Sequence, residues 1–176
     1  MTKGSRGTWR IRAAALAVAI VASVAAGAAP AGAHPATYSW SGNHTICNGC
    51  TVSRGNIVAM WQLMLMSSVS GLGSCESFVD GVFGPRTAAA TRTWQSDHNL
   101  SADGVVGRNT WTKAQSYLVF VESGANYDRY YYLGGSGPAV DLLRSTATGY
   151  WYFSGNFHGS TEYCGVDPDD FFLADH

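Results

Sequence analysis

"VDGVFGPRTAAATRTWQ", residues 79–95, is echoed by "ADGVVGRNTWTKAQ", residues 102–115. Both stretches contain Asp-Gly-Val-x-Gly-x-x-Thr, beginning at Asp80 and at Asp103. An Asp-Gly pair specifies a tight turn, because the short acid accepts hydrogen bonds from its own backbone and glycine takes positive φ without steric cost. The second glycine, Gly84 or Gly107, lets the chain fold back before a helix begins. Pro85 suits a first helical turn, where a missing N–H costs nothing. The doubled motif reads first as a folding device, two equivalent loops that each lead into a helix.

The flanking sequence supplies the helices. Upstream, "GNIVAMWQLMLMSS" places Ile57, Val58, Trp61, Met64 and Leu65 at spacings of three and four, one apolar face of a helix. After Gly84-Pro85, Ala90, Thr91 and Trp94 share a face, and after Gly107 so do Thr110, Trp111 and Ala114. Three helices joined by two Asp-Gly loops follow.

These residues resemble the three-helix peptidoglycan-binding domain that accompanies many bacterial cell-wall hydrolases. The first half of that pattern is met by Asp80, Gly81, Phe83, Gly84, Pro85 and Thr87, with Trp94-Gln95 as its aromatic-Gln pair. The second half is met by Leu100, Asp103, Gly104, Gly107, Thr110 and Trp111. Gly55, Val58, Trp61, Gln62 and Leu65 resemble its first helix, so the likeness runs over residues 50–117. Trp61 and Arg108 stand where leucine and proline are usual. The resemblance implies noncovalent binding of wall glycan or stem peptide. Most motif residues are expected to be scaffold, Asp80 and Asp103 as turn caps. Arg86, Arg108 and Asn109, beside the two helix starts, are the candidate ligand contacts. There a side-chain donor and free backbone N–H groups could receive a peptide carboxylate.

The N-terminus reads as a secretory signal peptide, residues 1–33. Lys3, Arg6, Arg10 and Arg12 precede an uncharged run from Ala13 to Ala29, and Ala31-Gly32-Ala33 offers small residues for cleavage. Cleavage leaves 143 of the 176 residues, with seven of the 11 basic residues against all 12 acids. That balance excludes an electrostatic footprint for nucleic acid or an anionic membrane. A wall-associated or extracellular location follows.

Cys47, Cys50, Cys75 and Cys164 are an even set in a short exported chain and read as two disulfides. Spacing leaves three connectivities open; Cys50–Cys75 with Cys47–Cys164 is the working expectation, and it would tie the C-terminal segment to the N-terminus. No metal or cofactor is expected: the cysteines do not form two close pairs, and neither Asp-Gly loop has the oxygen series of a calcium loop.

Residues 118–165 are rich in β-branched and aromatic residues broken by Gly/Ser turns, which reads as three or four strands of a small antiparallel meander. Tyr130, Tyr131, Tyr132, Tyr150, Trp151, Tyr152 and Phe153 form either a sugar-stacking face or, by alternation, a core and an exposed face. The segment could also pack back on the helices, locked by Cys164. Residues 166–176 read as an acidic tail. There is no HExxH and no Gly-x-Ser-x-Gly elbow. Glu122, Asp128, Asp141 and Glu162 are the acids from which a glycosidase pair could be drawn. The expected protein is therefore α+β: a helical domain at 44–117 followed by a β-meander, binding peptidoglycan without catalysis. The alternatives are a small wall hydrolase with its site in the C-terminal segment, or an interaction or inhibitor protein whose β segment binds a protein partner.

Overall fold

A computed structural model of the chain describes residues 39–157, 164 and 171–173. The proposed leader, most of the acidic tail and Glu162 lie outside the described residues. At the centre is α1 (Asn56–Ser68), which starts after Gly55 at φ 108° and ends where Val69 turns extended. The spacing predicts a single apolar face, yet Ile57, Met60, Trp61, Leu63, Met64 and Leu65 are all buried, with Gln62, Ser67 and Ser68 among them. The reason is that α1 is covered from more than one side, contacting helix α3 as well as strands of the sheet. A short helix α2 (Cys75–Phe78), not anticipated from periodicity, interrupts the connection to α3 (Pro85–Asp97). Pro85 occupies the first turn of α3, as expected. Helix α4 (Arg108–Gln115) follows the second loop and buries Thr110, Trp111 and Ala114.

Beyond α4 the chain forms one antiparallel sheet in sequence order. Its strands are β1 (Leu118–Ser123), β2 (Tyr127–Tyr132), β3 (Val140–Ser145), β4 (Trp151–Phe157) and β5 (Phe171–Leu173). β5 falls in the stretch read as acidic tail; its Phe-Phe-Leu pairs with Tyr152, Phe153 and Ser154. Alternation divides the aromatics. Tyr130 and Tyr132 share a face with Leu142 and Phe153, while Tyr127 and Tyr131 share the opposite face with Leu143 and Tyr152. The first face turns toward the helices and buries Tyr132, Leu142 and Phe153.

Helices and sheet share one core. Trp94, Trp61, Trp111, Trp40 and Trp151 meet edge to face at centroid distances of 5.2, 5.4, 6.0 and 5.4 Å. The chain of rings thus runs from α3 through α1 and α4 to a 3-10 turn (Trp40–Gly42) and on to β4. Such contacts add about 0.5–1.5 kcal/mol each beyond burial. Trp94 Nε1 donates to Tyr132 Oη at 3.1 Å, and Ser68 Oγ lies 3.0 Å from the same phenol. The β2–β3 loop docks on the end of α1: Gly137 N–H donates to the Ser67 carbonyl (2.8 Å) and Gly134 N–H to Ser67 Oγ (3.1 Å).

The disulfide pairing differs from the expectation. Cys47 pairs with Cys50 and Cys75 with Cys164, at Cα separations of 5.1 and 4.9 Å. "CNGC" is a turn in which the Cys50 N–H donates to the Cys47 carbonyl, so the two cysteines already face each other. Cys75, buried at the start of α2, is then left to receive Cys164. The C-terminal segment is tied to the α1–α3 connection, not to the N-terminus.

Candidate functional site

Each Asp-Gly loop is held by a buried glutamine from the helix before it. Gln62 Nε2 donates toward Asp80 Oδ1 (2.8 Å), the Val82 carbonyl (3.1 Å) and Thr87 Oγ1 (3.0 Å), and its Oε1 accepts from the Gly81 N–H (2.9 Å). Gln95 repeats the pattern with Asp103 (2.9 Å), the Val105 carbonyl (2.9 Å), Thr110 (3.1 Å) and the Gly104 N–H (2.8 Å). The acids cap their own turns, Asp80 accepting from the Val82 N–H and Asp103 from the Val105 N–H. Gly81 and Gly104 sit at φ 67° and 76°, in the left-handed region. Two Trp-Gln pairs, Trp61-Gln62 and Trp94-Gln95, thus serve two loops. The doubled pair is the sequence signal from which the role of Gln62 could have been read.

Phe83 and Val106 are buried behind these loops, and each copy is clamped by an extended segment upstream. Phe83 N–H donates to the Ser53 carbonyl (2.8 Å), while Val106 and Ile46 exchange backbone bonds (2.9 and 3.2 Å). The motif residues Thr87, Trp94, Thr110 and Trp111 are likewise buried, and their polar atoms are used internally. These side chains are enclosed by the protein's own packing and hydrogen bonds.

The three candidate contacts are exposed, in two settings. Arg86 is exposed at the first turn of α3 and lines a groove of about 320 Å³ with Val69, Leu72, Phe78, Ala89 and Thr93. Its guanidinium donates to the Leu72 and Ser77 carbonyls (3.0 and 3.1 Å) and lies 5.5 Å from the Phe78 ring centroid. Arg108 and Asn109 are exposed at the start of α4 and line a different part of the surface. Neither arginine is in an ion pair among the described residues. Both helices also begin without a side-chain cap, at Gly84 and Gly107, so no capping side chain occupies the first-turn N–H groups. A second groove, about 440 Å³, flanks the first loop and is lined by Arg54, Asn56, Glu76, Asp80 and Val82. Arg54 and Glu76 carried no signal in the sequence, since they lie outside the motif.

Of the acids considered for catalysis, the three that lie among the described residues are engaged by arginine. Arg144 Nη2 lies 2.8 Å from Asp128, and Arg129 lies 3.4 Å from Glu122 and 3.3 Å from Asp141. Among the described residues, no three His, Cys, Asp or Glu side chains converge as metal ligands would.

The profile of the peptidoglycan binding domain family matches residues 70–113, which hold both Asp-Gly loops, α3 and most of α4. The chain is 37% identical over 97 residues to the zinc D-Ala-D-Ala carboxypeptidase of Streptomyces albus G, covering 55% of this chain and 35% of that enzyme. It is 35% identical over 108 residues to an uncharacterized protein of Kitasatospora aureofaciens, 57% of this chain and 86% of that protein. It is 41% identical over 46 residues to the N-acetylmuramoyl-L-alanine amidase CwlL of Bacillus licheniformis, 26% of this chain and 13% of the amidase. The chain therefore spans only a minor part of either named hydrolase. No solved structure matches it significantly.

Proposed function

Since residues 70–113 match the peptidoglycan binding domain family, we propose that the protein is secreted and holds bacterial wall polymer noncovalently and without catalysis. The observation that carries the reading is the family match across both glutamine-held loops, with an arginine at the helix start after each that has no ion pair among the described residues. Arg86 and Arg108 are assigned to the carboxylates of stem peptides, aided by the first-turn N–H groups and by the Asn109 amide. The apolar wall beside Arg86, from Val69, Leu72 and Ala89, suits the methyl groups of short alanine-rich peptides. Residues 44–117 carry this binding, the leader of residues 1–33 directs export, and the wall retains the protein outside the cell. Absence of catalysis is supported by the arginine pairing of Glu122, Asp128 and Asp141, which leaves none of them placed as a free acid–base pair.

Co-sedimentation with purified peptidoglycan, with turbidity followed in the same tube, tests the reading. Pelleting at constant turbidity is expected. Falling turbidity would replace it with the hydrolase reading, and a protein left in the supernatant would end it. Arg86→Ala and Arg108→Ala should each weaken pelleting about tenfold, the effect of one charge-assisted hydrogen bond. Wild-type affinity in both variants would discard the carboxylate assignment.

A second reading rests on β1, an edge strand that exposes Val119, Phe120 and Val121. Such an edge accepts a strand from a protein partner. A Phe120→Lys variant that loses a co-purifying wall protein while still pelleting would favour this role.

A further inference from the structure

The face of the sheet turned away from the helices carries a groove unlike those of the helical half. β2 sends Tyr127, Arg129 and Tyr131 to this face, beside Leu143 of β3 and Tyr152 of β4. Next to the β1–β2 hairpin, a shallow groove of about 400 Å³ is lined by Glu122, Asn126, Tyr127, Arg129 and Leu143. Tyr127 is 41% exposed, and Tyr152 supports it edge-on at 5.6 Å, so an aromatic surface is held at the groove without being covered. Asn126 is fixed by its backbone, whose carbonyl accepts from the Thr146 N–H at 2.9 Å. Its side-chain amide has no hydrogen bond among the described residues.

The electrostatics select the ligand. Arg129 lies between Glu122 (3.4 Å) and Asp141 (3.3 Å), so its charge is already compensated. With two carboxylates around one guanidinium the cluster sums to −1 and is a poor receptor for a carboxylate, unlike the surfaces at Arg86 and Arg108, while the pair that lines the groove, Glu122 with Arg129, is neutral. An open groove without deep apolar pockets gives a peptide side chain little to fill. An aromatic face, a free amide and a compensated ion pair instead match a neutral ring with one C–H-rich face and a rim of hydroxyl and acetamido groups. The weakly positive C–H bonds meet the negative π face, and the planar polar groups satisfy the rim.

We propose that this groove is a subsite for one or two N-acetylhexosamine units of a neutral glycan strand, with Tyr127 stacking on a sugar ring and Asn126, Glu122 and Arg129 hydrogen-bonding its rim. The proposal builds on the wall-binding reading by giving the glycan its own surface, apart from the one assigned to stem peptides. Two weak contacts on one polymer then act through effective concentration, so overall retention exceeds either affinity.

The test is titration of the full mature protein with a β-1,4-linked N-acetylglucosamine tetramer, by calorimetry and by amide chemical shifts. Saturable binding in the millimolar range or tighter is expected, with shifts at Asn126, Tyr127 and Leu143. Tyr127→Ala should weaken it about tenfold, as stacking platforms do. Asn126→Ala should weaken it by about threefold, a typical loss for one neutral hydrogen bond. Because no side-chain bond of Asn126 among the described residues supports the fold, that variant decides the matter even if Tyr127→Ala misfolds. Absence of tetramer binding, or binding indifferent to both substitutions, overturns the proposal. Pelleting with peptidoglycan but no tetramer binding removes the sheet subsite and leaves the wall-binding reading intact. Tetramer binding without pelleting does the reverse.

Discussion

Gln62 and Gln95 show how a side chain can serve as a piece of backbone. Each is buried and supplies an amide whose oxygen and nitrogen meet an Asp-Gly turn as a neighbouring strand would. A leucine of similar size would leave a carboxylate, a carbonyl and a glycine N–H without their partner. Gln95→Leu, and separately Gln62→Leu, should therefore cost about 3 kcal/mol in urea unfolding, above the usual loss for one hydrogen bond because several partners are stranded together. A loss below about 1 kcal/mol in both would show that water satisfies the loops as well as the glutamines do. The turn-capping role of Asp80 and Asp103 was legible in the sequence, because an Asx turn lies within a few residues. The glutamines were legible only as a motif, because Gln62 lies 18 residues before its acid.

At the scale of elements, the two disulfides differ in what they join. Cys47–Cys50 closes a turn with a sequence separation of 3, and Cys75–Cys164 bridges a separation of 89. Chain entropy assigns them about 2 and about 4.5 kcal/mol respectively. The Cys75→Ala/Cys164→Ala pair should thus lower stability far more than Cys47→Ala/Cys50→Ala. Denaturant midpoints compare them, and equal losses would rule out a loop-closure origin. The β2–β3 loop offers a sharper case. A Cβ on Gly134 would run into the Ser67 carbonyl and Ser68 Oγ, so this close approach requires glycine. Gly134→Ala should cost about 2 kcal/mol and raise hydrogen exchange in the loop, since the overlap undocks it from α1. Full retention of stability would mean the loop can shift at no cost. Periodicity marked α1, α3 and α4 well. It missed that α1 is covered on several sides, because the sheet that covers it lies more than fifty residues downstream in the chain.

Across the whole molecule, Tyr132 joins the sheet to the helices and gives the fold a pH dependence. Burial pushes its phenol up from 10.0 to about 12, against the opposing hydrogen bonds with Ser68 and Trp94. The folded state holds the proton more tightly than the unfolded chain. This contribution is therefore complete below pH 10 and is lost as pH rises through about 12. The loss amounts to about 2–3 kcal/mol. Melting temperatures between pH 8 and 12 should fall more steeply for the wild type than for Tyr132→Phe, and parallel curves would deny the phenol this role. The amino-acid sequence by itself determined what is local: the Asp-Gly turns, the helices after Gly84 and Gly107, the alternating strands and the family they announce. Turn chemistry and periodicity act over a few residues, so they need no partner from elsewhere. Only the tertiary structure decided what depends on distant neighbours. It paired Cys75 with Cys164, drew Phe171–Leu173 into the sheet, and turned Tyr132 inward while leaving Tyr127 beside an open groove. Those outcomes depend on which surfaces meet, and the residues that meet lie dozens of positions apart in the chain.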